Sequence, residues 1–216
     1  MAERPVFLPQ REGLLLVQTA RVEFPWHPGM APVQKKKNVA ELHSAAHALG
    51  LYPLLETSSK SDFEAGRRLS AFHLRYVHDN IETTVEAIFQ GSKVFEFGGP
   101  FTDLYHRTPR EAKLDPRLQN SGHLIAFKLG SSSFPLSPPT AFYDWLYLRA
   151  LFPHRDWLRR LGQFQGFTDI EFNPAKSINC QARACALFVA LEWRNRLDWA
   201  HSSFDNFLSI QSAAYI

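Results

Sequence analysis

The sequence predicts an α+β fold, mostly helical, forming one compact domain over residues 1–216 with a few short strands and long loops. Three observations predict it. Apolar residues recur at helical spacing in VAELHSAAHAL, TAFYDWLYLRALF and INCQARACALFVALEWRNRL. Shorter apolar stretches near the start, Leu14 to Val17 and Val22 to Phe24, read as one or two strands. Hydrophobic residues make up 45% of the chain and Phe alone contributes 18, enough for a sizeable core without disulfide staples.

The elements follow in order. WHPGMAP is a loop, and Asn38 is placed to cap a helix that runs to Gly50. YPLLETS reads as a short strand, and KSDFEAGRRLSAFHLRYV leads through a turn into another. A helix is expected from about Thr83 to Phe95, stopped by Gly98-Gly99. Residues 96–140 are rich in breakers (GGP, TPRE, DPR, LGSSS, SPP) and are expected to be mostly loop. Helical periodicity returns in TAFYDWLYLRALF and HRDWLRRLGQF. FTDIEFNPAKS is read as a loop ahead of the longest apolar helix, with Ser177 or Asn179 capping it, and the tail adds a short helix.

Composition excludes several classes. No apolar run approaches the ~20 residues of a membrane span, and MAERPVFLPQRE lacks the order of a secretory leader. Cys180 and Cys185 fit neither a disulfide nor a zinc pair and are expected to be buried thiols, which points to a cytoplasmic protein. His43 and His47 have the i,i+4 spacing of zinc ligands but lack a third partner. A net charge of +3 is too mild to imply nucleic acid by itself, yet basic residues cluster in QKKKN, GRR and HRTPREAKLDPR. The last cluster, with Arg107, Arg110 and Lys113, is expected to be the DNA-contacting loop if there is one.

The chemistry-bearing stretch is VEAIFQGSKVFEFGGP. At 100° per residue, positions i+4 and i+7 fall within about 40° of residue i, so a helix would put Glu86, Gln90 and Lys93 on one stripe. A solvated face with a Glu-to-Lys pairing is the ordinary reading of that pattern. The chemical reading is a carboxylate held ionised beside a lysine, or a lysine made nucleophilic by partial burial. Gly98 and Gly99 would let backbone approach a ligand closely. Asp169 and Glu171, just ahead of the long helix, either complement its dipole or line an anion pocket.

Three of these segments together resemble one superfamily. E-A-I-F-Q-G-S-K-V-F (Glu86 to Phe95) resembles the E-x-x-F-Q-x-x-K motif of the NADAR superfamily, ADP-ribose-related N-glycosidases. LSAFHL is similar to its S-N-F element, with Ala71 where Asn would stand, and SINCQARACALF to its Asn-led helix, with Asn179 matching. Together with QKKKN, PLLETSSKS, AKLDPRLQ and FYDWLYL, the chain resembles the branch of NADAR antitoxins paired with DarT-type DNA ADP-ribosyltransferase toxins, over most of residues 20–190. The W-G-x-G element common in the superfamily is absent; DIEFNPAKS stands there, so Phe172 or Trp145 would have to supply any stacking contact.

The resemblance implies removal of ADP-ribose from guanine in single-stranded or flipped-out DNA by cleavage of an N-glycosidic bond, with no metal or other cofactor and with a DarT-type toxin as functional partner. It makes Glu86 the catalytic acid, and Lys93 or a lysine of QKKKN, Lys37 in particular, the amine of a Schiff base. Gln90, Ser70, Phe72, Gly98, Gly99, Asp169 and Asn179 would bind the ADP-ribose. Two alternatives stay open: an N-glycosidase acting on a free small molecule, and a non-enzymatic protein that binds ADP-ribose or the toxin.

Overall fold

A computed structural model describes residues 1–212, and the fold is α+β. The strands are β1 (Ala2–Pro9), β2 (Val17–Phe24), β3 (Leu54–Glu56), β4 (Arg75–His78), β5 (Ile81–Thr84), β6 (Lys93–Phe95), β7 (Leu124–Leu129), β8 (Ser132–Phe134) and β9 (Gly166–Thr168). The helices are α1 (Pro32–Ala48), α2 (Glu64–Arg68), α3 (Val85–Gly91), α4 (Pro109–Lys113), α5 (Arg117–Asn120), α6 (Ala141–Leu151), α7 (Arg155–Leu158), α8 (Gln181–Trp193), α9 (Leu197–Ser202) and α10 (Phe204–Ser212). They form two compact units: Met1–Ser70 with Leu151–Ile216, and Ala71–Ala150.

The first unit is built on a sheet of order β2-β1-β9-β3. β1 and β2 pair antiparallel along their whole length, from Ala2↔Phe24 to Pro9↔Val17. In the second half of β2 the residues alternate: Val22 and Phe24 are buried while Arg21 and Glu23 are exposed. The GLLLV stretch contributes only its end to a strand. Leu14 and Leu15 lie exposed in the β1–β2 loop, whose backbone carbonyls at Gln10, Glu12, Gly13 and Leu15 are gathered by the Arg194 guanidinium. β9 runs parallel to β3 and meets β1 at Phe7↔Phe167, so part of the expected FTDIEFNPAKS loop is a central strand. Three residues are too short for periodicity to reveal.

α1 closes one face of this sheet. Val39, Leu42 and Ala46 join Val6, Val22, Phe24, Leu54 and Ile170 in one apolar cluster. The helix starts at Pro32, not after Asn38. Proline's fixed φ suits the first helical turn, and Asn38 is instead fully buried within the helix. Its Oδ1 accepts from the His27 N–H at 2.8 Å and its Nδ2 donates to the His27 carbonyl at 2.9 Å, tying down the loop before the helix. α8 packs on β1 and β9 and is buried almost all round, with alanines at 182, 184, 186 and 190 permitting close approach. Its N-cap is Cys180, so neither Ser177 nor Asn179 caps it. Cys180 and Cys185 are both buried, and neither is in a disulfide.

The second unit holds a β4–β5 hairpin and a β6-β7-β8 sheet. The hairpin turns through Asp79 and Asn80, both at positive φ (48° and 65°), the backbone a two-residue hairpin loop demands. Residues 96–140 are therefore more ordered than expected, with a 3-10 turn (Thr102–His106), α4, α5, β7 and β8. The phenylalanines explain how so broken a segment packs. Phe127 and Phe142 stack at 4.5 Å, and Phe89 and Phe134 join the same aromatic group. Offset and edge contacts of this kind add to simple area burial.

Candidate active site: a buried carboxylate and two amines

β5 passes directly into α3, with the Thr84 hydroxyl accepting from the Ala87 N–H as the N-cap. The Val85 and Glu86 N–H groups donate to the Leu74 and Ala71 carbonyls, so the first turn is anchored to the chain leading into β4. Every residue of α3 is buried, Glu86 at 6% exposure and Gln90 at 7%. The stripe of Glu86 and Gln90 is therefore not a solvated face. Gln90 Nε2 donates to Glu86 Oε1 at 2.9 Å, while Gln90 Oε1 is buried with no partner. Such an acceptor costs stability unless a ligand or water satisfies it.

The expected helix to Phe95 stops at Gly91. A Cβ there would come within 2.6 Å of the Tyr105 ring and 2.9 Å of the Phe101 carbonyl, so only glycine admits that close packing. Ser92 ends the helix by donating from its hydroxyl to the Ile88 carbonyl at 2.7 Å. Lys93 thus opens β6, opposite Phe127, instead of sitting on the helical stripe. It remains in the field of Glu86. Its Nζ lies 5.0 Å from the Phe89 ring centroid, and burial pushes its pKa down against the pull of Glu86, with the Lys113 ammonium pushing further down.

Lys113 comes from α4, which a capping box of Thr108 and Glu111 starts and whose Ala112 packs with Ala87 and Leu104. Its Nζ stands 3.5 Å from Glu86 Oε1 and 5.3 Å from the centroid of the Phe72 ring, with the side chain 55% exposed. The ion pair of Glu86 is with Lys113, which the sequence places among DNA contacts. No spacing rule could have linked residues 86 and 113. Arg107 and Arg110 are exposed, in keeping with a surface contact. Arg117, further along the same basic run, is held within the chain by Asp103 and Asp115, whose carboxyls it keeps below the usual range.

The other expected ligands are distributed. Phe72 lies beside Lys113, and Gly98 accepts at its carbonyl from the Phe95 N–H at 2.7 Å. Gly99 has φ +90°, and a Cβ there would run into the Lys93 carbonyl; the close approach is to the chain's own backbone. Ser70, buried after α2, belongs to the first unit with Lys37, Asp169 and Asn179. Lys37 is exposed on α1, whereas Lys35 of the same run is largely buried, 3.7 Å from Glu171. Asn179 is half-buried, its carbonyl accepting from the Ser177 hydroxyl.

Asp169 belongs to a second buried polar group. Its Oδ1 accepts from the Glu171 N–H at 3.0 Å, and burial, then the adjacent Glu56 carboxyl, push its pKa up to about 8. Glu56, whose pKa burial also raises, accepts from the Thr168 hydroxyl at 2.7 Å and the Ile170 N–H at 2.9 Å. His43 Nε2 lies 2.8 Å from the same hydroxyl, and burial pushes its pKa down to about 4. His43 is thus committed to Thr168, and His47 meets the Tyr52 ring edge-on. A glutamate in the apolar strand LLETS is the sequence signal for Glu56.

Fold and site together define an α+β protein with a sequestered carboxylate flanked by amines, a class suited to acid–base or imine chemistry. The chain matches the family described as DarT1-associated NADAR antitoxin over residues 2–216, and it belongs to that family. No curated protein matches it. Among the described residues no helix is long and apolar enough to cross a membrane.

Proposed function

We propose that this antitoxin is a glycohydrolase that removes ADP-ribose from guanine bases in DNA, reversing the modification made by a DarT-type toxin in the cytoplasm. The observation that carries the reading is the Glu86 carboxylate: buried, fixed on a short capped helix, and contacted at Oε1 by both Gln90 and Lys113. Oε2 takes part in neither contact. A carboxylate so placed suits acid–base work at C1″ of the ribose, where positive character develops as the bond to the base weakens.

The amine in this chemistry is Lys93. As the O4″–C1″ bond of the ribose breaks, O4″ takes a proton from solvent and C1″ is left doubly bonded to guanine N2, which keeps its hydrogen as an iminium. The neutral lysine amine adds to C1″, a proton passes to N2, and the C1″–N2 bond breaks, so guanine leaves with its exocyclic amine restored. Water then adds to the lysine imine while Glu86 takes one of its protons. The C1″–lysine bond breaks as that proton returns to the lysine nitrogen, the C1″ hydroxyl gives its proton back to solvent, and ADP-ribose leaves as an aldehyde that recloses. Burial among aromatic rings favours the neutral amine that this route needs. The buried, unpartnered Oε1 of Gln90 supplies an acceptor for a ribose hydroxyl. Phe72, Gly98 and Gly99 complete the proposed substrate contacts within this unit, with Arg107 and Arg110 on the DNA backbone.

The test is release of ADP-ribose from a guanine-modified oligonucleotide. Glu86→Gln is expected to lower kcat by roughly 10²–10⁴ with the fold intact. Near-normal turnover would remove Glu86 from catalysis. Activity on a free N-glycoside but not on DNA would shift the substrate class, and toxin protection that survives Glu86→Ala would point to binding alone. Borohydride added during turnover should trap ADP-ribose on Lys93; a trap lost in Lys37→Arg and kept in Lys93→Arg would assign the amine to α1.

A further inference from the structure

We propose that Lys113 is a positioning residue of this same site: its ammonium pairs with Glu86 and leaves the Lys93 amine free to react. The inference rests on the reading of Glu86 and Lys93 above, and it separates the two lysines by geometry. Lys113 Nζ reaches Glu86 Oε1 at 3.5 Å, whereas Lys93 Nζ lies over the apolar ring of Phe89 at 5.0 Å. One cation is thus held against the carboxylate from α4, and the other amine is held in aromatic surroundings from β6. The carboxylate is paired from α4, and the paired ammonium offsets part of the pull that Glu86 exerts on the Lys93 proton.

Three features fix Lys113 there. Its Nζ lies 5.3 Å from the Phe72 ring centroid, a second contact that holds the ammonium. The capping box of Thr108 and Glu111 sets where α4 begins, so Lys113 falls in its last turn. Ala112 is buried beside Ala87, the residue after Glu86, which fixes the spacing of the two helices. The charged groups acting on Lys93 are Glu86 from α3 and Lys113 from α4; from β7 its strand partner is Phe127. A second ammonium nearby makes protonation of Lys93 harder, the device by which paired lysines yield one reactive amine.

The experiment compares Lys113→Met and Lys113→Arg in the full chain, by turnover on modified oligonucleotide across pH and by DNA affinity across salt. Without the ammonium, Lys93 holds its proton to higher pH. An upward shift of one unit leaves about tenfold less neutral amine at neutral pH. Lys113→Met is therefore expected to lower kcat about tenfold there, with KM and the salt slope of DNA binding kept, and the deficit closing as pH rises. Lys113→Arg should recover most of the loss, because it keeps the charge. A Lys113→Met protein with unchanged kcat and pH profile but a DNA salt slope reduced by about one would overturn the proposal and make Lys113 a phosphate contact. A readout independent of activity is the titration of Lys93 after reductive ¹³C-methylation, its signal assigned by loss in Lys93→Arg. Titration displaced upward in Lys113→Met supports the pairing even if no ADP-ribose is released, in which case only the functional reading falls. Titration left in place overturns the pairing whatever the turnover.

Discussion

Asp169 shows at the scale of one side chain how burial sets chemistry. Its carboxyl is raised to about 8 by burial and by the neighbouring Glu56, so the folded state holds a proton that the unfolded chain releases near its ordinary 3.8. The stabilisation this gives is complete below about pH 3.8 and is lost as pH rises through about 8. Unfolding free energy should therefore fall between about pH 4 and 8 through this group. Asp169→Asn should flatten that slope, because the amide oxygen can still accept from the Glu171 N–H at 3.0 Å. Urea titrations at pH 5 and 8.5 read the difference; a slope unchanged in the variant would show that Asp169 ionises normally. Lys93 is the mirror case. There burial favours the neutral form of a base, and the consequence is reactivity at moderate pH.

Elements place these side chains, and their ends matter more than their middles. α3 is seven residues long, and its two boundaries decide what the site contains. Thr84 starts it so that Glu86 and Gln90 share a face, and Gly91 ends it so that Lys93 enters a sheet. Gly91→Ala should cost about 1–3 kcal/mol, the usual range for overpacking, because the added carbon would lie 2.6 Å from the Tyr105 ring. Thermal denaturation measures it, and an unchanged Tm would mean that Tyr105 moves aside freely. The F-Q pairing of Phe89 and Gln90 was legible because both lie within one helical turn of Glu86. The place of Lys93 was not, since a back-bonding serine and a ring contact from Tyr105 overrode the helical period. Lys113 was legible only as a charge in a basic run, because its pairing depends on how α4 packs against α3. The strands β6 to β9 were hidden for a similar reason. β6, β8 and β9 have three residues each, too few for alternation to stand out, and tertiary pairing rather than propensity defines them.

For the whole molecule, the modest net charge of +3 makes any hold on DNA local, not a property of the entire surface. Arg107 and Arg110 are exposed just before Lys113 in the chain, and each one that touches a phosphate should contribute about 0.7–0.9 to the salt slope of binding. Arg107→Ala and Arg110→Ala should each flatten the dependence of affinity on salt by about that amount, as fluorescence anisotropy can measure. Slopes equal to the parent's would move the DNA contact elsewhere. The α+β class was readable from composition and periodicity. The division into two units was not, because no linker-like stretch marks residues 70 or 150.

The first unit takes its strands from both sides of the second, and β9 stands between β1 and β3 in its sheet. This arrangement imposes an order on synthesis. A ribosome releases residues 71–150 before it releases β9, so the unit that carries Glu86, Lys93 and Lys113 can gather while the other sheet still lacks its centre. The N-terminal hairpin must meanwhile wait, its inner edge unpaired, for a strand encoded more than a hundred residues downstream (Phe7 to Phe167). The sheet of the first unit can close only once β9 has emerged.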